Sequence, residues 1–104
     1  HEGPHSISRN SKVKLQNGMV LSNEPGYYKE NDFGIRIENL VYINKNKFEE
    51  LTVAPIERSL INKKILNSKE LEWINNYHKK VEKNLSKYID FKDKSDFKKA
   101  CLPI

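Results

Sequence analysis

The stretch that decides the fold is Gly18 to Ile43, GMVLSNEPGYYKENDFGIRIENLVYI. Asn17-Gly18 marks a turn, and Met19-Val20-Leu21 opens an extended segment that runs into Ser22-Asn23-Glu24-Pro25-Gly26. The link Lys29–Phe33 is polar and short, as a hairpin loop is. Gly34–Ile43 then alternates, with Ile35, Ile37, Val41 and Ile43 on one face and Arg36, Glu38, Leu40 and Tyr42 on the other. If the chain folds back about a loop centre near Asn31, position i faces position 62 − i to within a residue or two. Glu24 then stands opposite Glu38.

Directly opposed like charges destabilise a sheet, so this pair calls for a compensating charge. Arg36, on the face of Glu38, is one. A divalent cation, or two of them about 3.5–4 Å apart sharing both carboxylates, is a stronger one. Oxygen donors favour hard ions such as Mn²⁺. A plainer reading stays open: Glu24 as a surface acid before a β-turn, and Glu38 with Arg36 as an ordinary strand ion pair. Gly26 and Gly34 are read as serving backbone turns.

Upstream, Val13 and Leu15 alternate with polar residues and read as extended. Downstream, Asn44–Lys47 makes a polar turn, and Phe48–Ile56 reads as a further extended stretch that Pro55 confines to an edge or a strand end. A helix is expected over about 68–89, capped by Asn67 or Ser68, with Glu70 and Glu72 in its first turn. Its apolar stripe is Leu71, Ile74, Val81, Leu85 and Tyr88, widened by Trp73 and Tyr77. One short helix is expected near Phe97–Cys101. His5 reads as a loop residue, His78 as a packing or capping residue and Cys101 as a buried small apolar group.

The chain has 104 residues, the size of one small domain, which argues against a complete multi-domain enzyme. No run of about 18 apolar residues offers a membrane span. One cysteine forms no internal disulfide, so a cytoplasmic location is the default expectation. The net charge of +5 is unevenly placed. Residues 1–43 hold five Lys/Arg and five Asp/Glu, and residues 44–104 hold fourteen and nine. Those lysines are interspersed with acids on a helical pattern, which fits a solvated helix face better than a nucleic-acid surface.

The segments HEGP (1–4), GMVLSNEPGYY (18–28) and FGIRIENLVYI (33–43) resemble the C-terminal third of the pita-bread metallopeptidases, in the aminopeptidase P (Xaa-Pro aminopeptidase) branch. FEELTVAPIERSLI (48–61) and SKELEWINNYHKKV (68–81) resemble the C-terminal extension of the long forms. Prolidase and methionine aminopeptidase share the E-P-G and strand-glutamate elements without this extension. The resemblance implies an α+β fold: an incomplete pita-bread domain over residues 1–43, an antiparallel hairpin, and an extension over 44–104 carrying the helix.

The resemblance also implies roles. The glutamate matching Glu24 binds one metal and acts as general base on the metal-bound water; the one matching Glu38 bridges two metals. The histidine matching His1 is not a ligand but hydrogen-bonds the scissile peptide or its tetrahedral intermediate. Arg36 and Tyr28 match positions that orient the carboxylates. The cofactor implied is a pair of divalent ions, Mn²⁺ ahead of Zn²⁺ or Co²⁺. The substrates implied are peptides with proline at the second position, and a homodimer through the C-terminal region is a further implication. Two aspartates and a histidine of the family's ligand set have no counterpart in these 104 residues. The expectation is therefore a fragment of a longer enzyme or the product of a gene broken upstream, inactive alone. The alternative is a non-catalytic binding or assembly module of pita-bread type.

Overall fold

The computed structural model describes residues 3–104; His1 lies outside the described residues. The chain is α+β and divides into two compact units between Thr52 and Val53.

The first unit is antiparallel. Strands β1 (Val20–Asn23), β4 (Asn39–Asn44) and β5 (Lys47–Glu50) form one sheet in the order β1-β4-β5, and β2 (Gly26–Tyr28) pairs with β3 (Gly34–Arg36) as a two-stranded ribbon. Val20 faces Tyr42, Asn23 faces Asn39, Gly26 faces Arg36 and Tyr28 faces Gly34. The partner numbers add to 62 throughout, so one register runs through sheet and ribbon as the hairpin loop predicts. The loop closes with the Lys29 N–H on Phe33 O (2.8 Å), and Asn31 takes the left-handed conformation (φ 56°) that asparagine tolerates.

The expected single strand Gly34–Ile43 is interrupted at Ile37–Glu38. Pro25 is the cause. Ile37 still donates to Pro25 O (3.2 Å), but proline has no N–H to return the bond, so the ladder breaks while the register persists.

Leu21, Val41 and Ile43 form the core of this unit, with Leu15 and Met19 packed against them. Val41 is buried at 4% exposure, whereas Ile35 and Ile37, on the same alternation, stay exposed at 42% and 47% on the thin ribbon. Val13 and Leu15 do not form a strand: residues 12–16 hold no sheet partner, and Leu15 contributes packing alone. Between β4 and β5, Lys45 (φ 48°) and Asn46 (φ 60°) are both left-handed, the geometry of a tight two-residue hairpin. β5 ends at Glu50, well short of the expected Ile56. Leu40 O takes the N–H groups of Leu51 (2.8 Å) and Thr52 (3.3 Å), and Thr52 Oγ1 accepts from Leu40 N (2.7 Å), which turns the chain out of the sheet.

The second unit is helical. Two single 3₁₀ turns, Arg58–Leu60 and Lys63–Ile65, lead into α1 (Ser68–Leu85), and a third, Phe91–Asp93, leads into α2 (Lys94–Ala100). Asn67 caps α1 in a reciprocal box: its side chain accepts from Lys69 N and Glu70 N, and Glu70 Oε2 accepts from Asn67 N. The helix stops at Leu85 rather than near 89. There the Ser86 hydroxyl bonds back to Glu82 O and Tyr88 N tightens onto Leu85 O, so the last turn closes in 3₁₀ fashion.

Tyr77, Val81 and Cys101 form the core here, joined by Val53, Ile56, Leu85 and Phe97. Tyr88, expected in the apolar stripe, is 70% exposed, and Trp73 is half exposed while stacking on Tyr77 (5.5 Å between centroids). No described helix is long and apolar enough to cross a membrane.

Candidate metal centre

The site residues inferred from sequence fall on the broken stretch between sheet and ribbon. Glu24 follows β1 and precedes β2; Glu38 follows β3 and precedes β4. Ile43 N donates to Met19 O and Ile37 N to Pro25 O, so the odd-numbered partners are the hydrogen-bonded pairs. The even-numbered partners are therefore of the other kind, in which side chains approach most closely. The register carried across the break sets Glu24 against Glu38 as such a pair. On the ribbon the same face carries Gly26 opposite Arg36 and Tyr28 opposite Gly34.

Arg36 reaches along this face to Glu38, Nη2 to Oε2 at 3.2 Å. The Tyr28 phenol lies beside the same guanidinium. The phenol, then the charges of Glu38 and Glu24, hold the guanidinium above its ordinary basicity. Both members of the Arg36–Glu38 pair are well exposed, so screening limits its stabilising effect and its main consequence is orientation. Glu24 Oε2 is shielded from solvent. Glu24 and Glu38 border a cleft that Pro4, His5, Ser22 and Leu40 also line, and His5 Nε2 lies 3.2 Å from Val20 O.

His5 and the two glycines were not singled out as site residues by sequence. His5 carried no pattern, since its contact with Val20 spans fifteen residues of irregular chain. The glycines were legible: with i facing 62 − i, one glycine falls opposite each of the two large side chains, Arg36 and Tyr28. The expectation that they serve turns is corrected, because Gly18 is the one described glycine with positive φ (87°). Gly26 and Gly34 provide space instead.

Comparison with known proteins bears on this face and on the rest of the chain. The model for metallopeptidase family M24 matches residues 1–45, and the model for the C-terminal region of peptidase M24 matches residues 45–104. The chain belongs to metallopeptidase family M24. Aminopeptidase P2 of Arabidopsis thaliana is 39% identical over 86% of the M24 chain, and Xaa-Pro aminopeptidase 1 of Dictyostelium discoideum is 40% identical over 86% of it. The crystal structure of the X-prolyl aminopeptidase from Caenorhabditis elegans, described as a cytosolic enzyme with a di-nuclear active site, superposes on the whole chain with a TM-score of 0.79 at 33% identity. The match covers 15% and 16% of the two relatives and 19% of the solved chain, so the M24 chain corresponds to the C-terminal region of an aminopeptidase P and spans less than a fifth of such a protein.

The donors present suit a divalent cation in part. Two carboxylates share one face by register, line one cleft and offer hard oxygen ligands. Among the described residues no group of three or more His, Cys, Asp or Glu converges to hold a metal ion. Glu24 and Glu38 therefore fit as the carboxylate portion of a site.

Proposed function

We propose that this chain is the carboxylate-bearing end of a metal-dependent aminopeptidase that hydrolyses N-terminal Xaa-Pro peptide bonds, residues 1–43 closing the catalytic domain and 44–104 forming its C-terminal extension. The observation that carries this reading is the continuous register that sets Glu24 against Glu38 at the edge of one cleft, with Arg36 on Glu38 at 3.2 Å. Like charges held face to face weaken a metal-free sheet and are stabilised by a cation between them.

In this reading Glu24 and Glu38 would hold the divalent ions, Glu38 shared between them, and the Glu24 carboxylate would take up a proton from water. His1 would donate a hydrogen bond to the peptide being cleaved, and Tyr28 with Arg36 would keep the Glu38 carboxylate in place. When bound, the metals supply an acidified water near neutral pH. Manganese suits the all-oxygen contribution of this chain, with zinc or cobalt as substitutes. Because the described residues bring only two carboxylates together, the remaining ligands come from another stretch of polypeptide, and the chain alone does not hydrolyse peptide. Substrates are peptides with proline second, the enzyme is cytoplasmic, and the C-terminal region supports self-association.

The test is complementation. The 104 residues, joined to the preceding region of a complete aminopeptidase P, are assayed for bound Mn²⁺ and for cleavage of Arg-Pro-Pro. Two ions per chain and release of arginine are expected. Glu38→Gln should lose both metals and Glu24→Gln one; a complemented Glu38→Gln chain that keeps both ions removes the bridging role.

A further inference from the structure

The open question on the ribbon is why a strand pair that must hold Arg36 steady contains two glycines, residues that weaken strands by adding backbone freedom and no packing. The geometry of Tyr28 answers it. A Cβ placed on Gly26 would lie 2.8 Å from Tyr28 Cε2 and 2.8 Å from its Oη; one on Gly34 would lie 2.6 Å from Cδ1 and 3.1 Å from Cε1. Real Cβ atoms do not come so close. The ring thus lies flat across both backbones, its near edge over Gly34 and its far edge over Gly26.

Gly26 is the register partner of Arg36, so the far edge, which carries the hydroxyl, ends beside the base of that side chain. Covering of strand glycines by a cross-strand aromatic is a known device for stiffening a sheet. Here it also aims a polar group, because the phenol ends over Gly26, the partner of Arg36, while the Arg36 guanidinium holds Glu38 Oε2 at 3.2 Å. A planar guanidinium set against a carboxylate on one side and a phenol on the other is restricted in how it can turn.

We propose that Gly26 and Gly34 are positioning residues: the absence of a side chain at both opens a trough in which the Tyr28 ring is seated, and the seated ring sets the Arg36 guanidinium on Glu38. The trough is a property of the metal-free chain; its service to a metal-bridging Glu38 rests on the function proposed above.

The two are separable by experiment. In proton NMR of the metal-free 104-residue chain, a ring seated on Gly34 displaces that residue's α-protons upfield, and a held guanidinium gives Arg36 a slowly exchanging Nε–H. Gly26→Ala puts a methyl against the far end of a side chain that is 66% exposed and free to swing out, so the fold survives. The expected result is loss of the upfield displacement at Gly34 and several-fold faster Arg36 Nε–H exchange, with the Leu21 and Val41 amides unchanged. Tyr28→Phe should keep the displacement at Gly34 and lose the slow Arg36 exchange.

A Gly26→Ala chain retaining both signals overturns the trough. A Tyr28→Phe chain with unaltered Arg36 exchange overturns the link to Glu38 and keeps its meaning even if Gly26→Ala fails to fold. No metal enters either measurement, so failure of the complementation test leaves these results intact.

Discussion

His78 Nε2 accepts a hydrogen bond from the backbone N–H of Ile56 at 3.2 Å, across twenty-two residues. His78 is fully buried on α1, and the segment it holds is irregular chain whose amides have no sheet to join. Its neighbour Tyr77 donates to Ala54 O at 2.8 Å, so two adjacent helix residues tether the same extended segment. An extended backbone is held by helix side chains where a strand partner is lacking. His78→Ala removes a buried ring and orphans the Ile56 N–H; the helical unit should lose about 2–4 kcal/mol. Tyr77→Phe, which loses only the hydroxyl, should cost about 1 kcal/mol. Urea unfolding followed by the circular dichroism of the helix measures both, and equal losses would show that the tethers rather than the packing of the His78 ring dominate.

The capping box is the second quantity to check. Asn67→Ala leaves Lys69 N and Glu70 N without their acceptor and should cost about 1 kcal/mol; Asn67→Asp should cost little. A thermal melt unmoved by Asn67→Ala would mean that α1 is held by its buried face alone.

Cys101 should report opening of the helical unit. Burial pushes its thiol above the ordinary value, so little thiolate is present near neutral pH and less is reachable. Arg58 secures the end of this segment, Nη1 donating to Lys99 O at 3.0 Å and Nη2 to Pro103 O at 2.8 Å. Labelling of native Cys101 by an aromatic disulfide should be slow, should accelerate on addition of urea, and should run several-fold faster in Arg58→Ala. Native labelling as fast as in the unfolded chain would contradict the burial.

Acid sensitivity should include Glu57. The Ser59 hydroxyl (2.7 Å) and then the Ser59 N–H (2.9 Å) donate to Oε1 and hold the carboxyl below its ordinary value, with Arg58 adding to the effect. A depressed folded value means that the contribution is present above the unfolded carboxylate value, about 4.3, and is lost as pH falls through the lower folded value. Carboxyl ¹³C titration should place Glu57 below the exposed glutamates, and Glu57→Gln should flatten part of the decline in thermal midpoint below about pH 4. A Glu57 titrating with the other glutamates would remove this contribution.

How much of this could be read from the sequence depends on the range of each signal. The register was legible because Lys29 and Phe33 flank a short symmetric loop and a turn fixes every pair beyond it. The interruption at Ile37–Glu38 followed from the missing proline N–H, yet alternation alone suggested an unbroken strand. The end of α1 at Leu85 hid behind Tyr88, whose spacing suits the stripe but whose ring faces water. The tether of Ile56 to His78 left no local trace at all, and Phe48–Ile56 read as a strand for that reason. On the candidate site, the shared face of Glu24, Glu38 and Arg36 came with the register and Tyr28 with the family resemblance, while the purpose of Gly26 and Gly34 needed the ring in place.

The opposed carboxylates themselves should be measurable in the metal-free chain. Glu24→Gln relieves the repulsion at the loss of the attraction of Glu24 for Arg36 and leaves Arg36 on Glu38, so it should give a net gain in stability of the strand unit below about 1 kcal/mol. Glu38→Gln relieves the same repulsion but deprives Arg36 of its carboxylate, and the two effects should nearly cancel. The asymmetry is the signature of a pair kept for a ligand at some cost to stability. Hydrogen exchange at Leu21 and Val41 reads it directly: slower exchange in Glu24→Gln and little change in Glu38→Gln. A Glu24→Gln chain that exchanges faster than the parent would show that the two charges do not strain the fold, and the case for a cation between them would lose its physical basis.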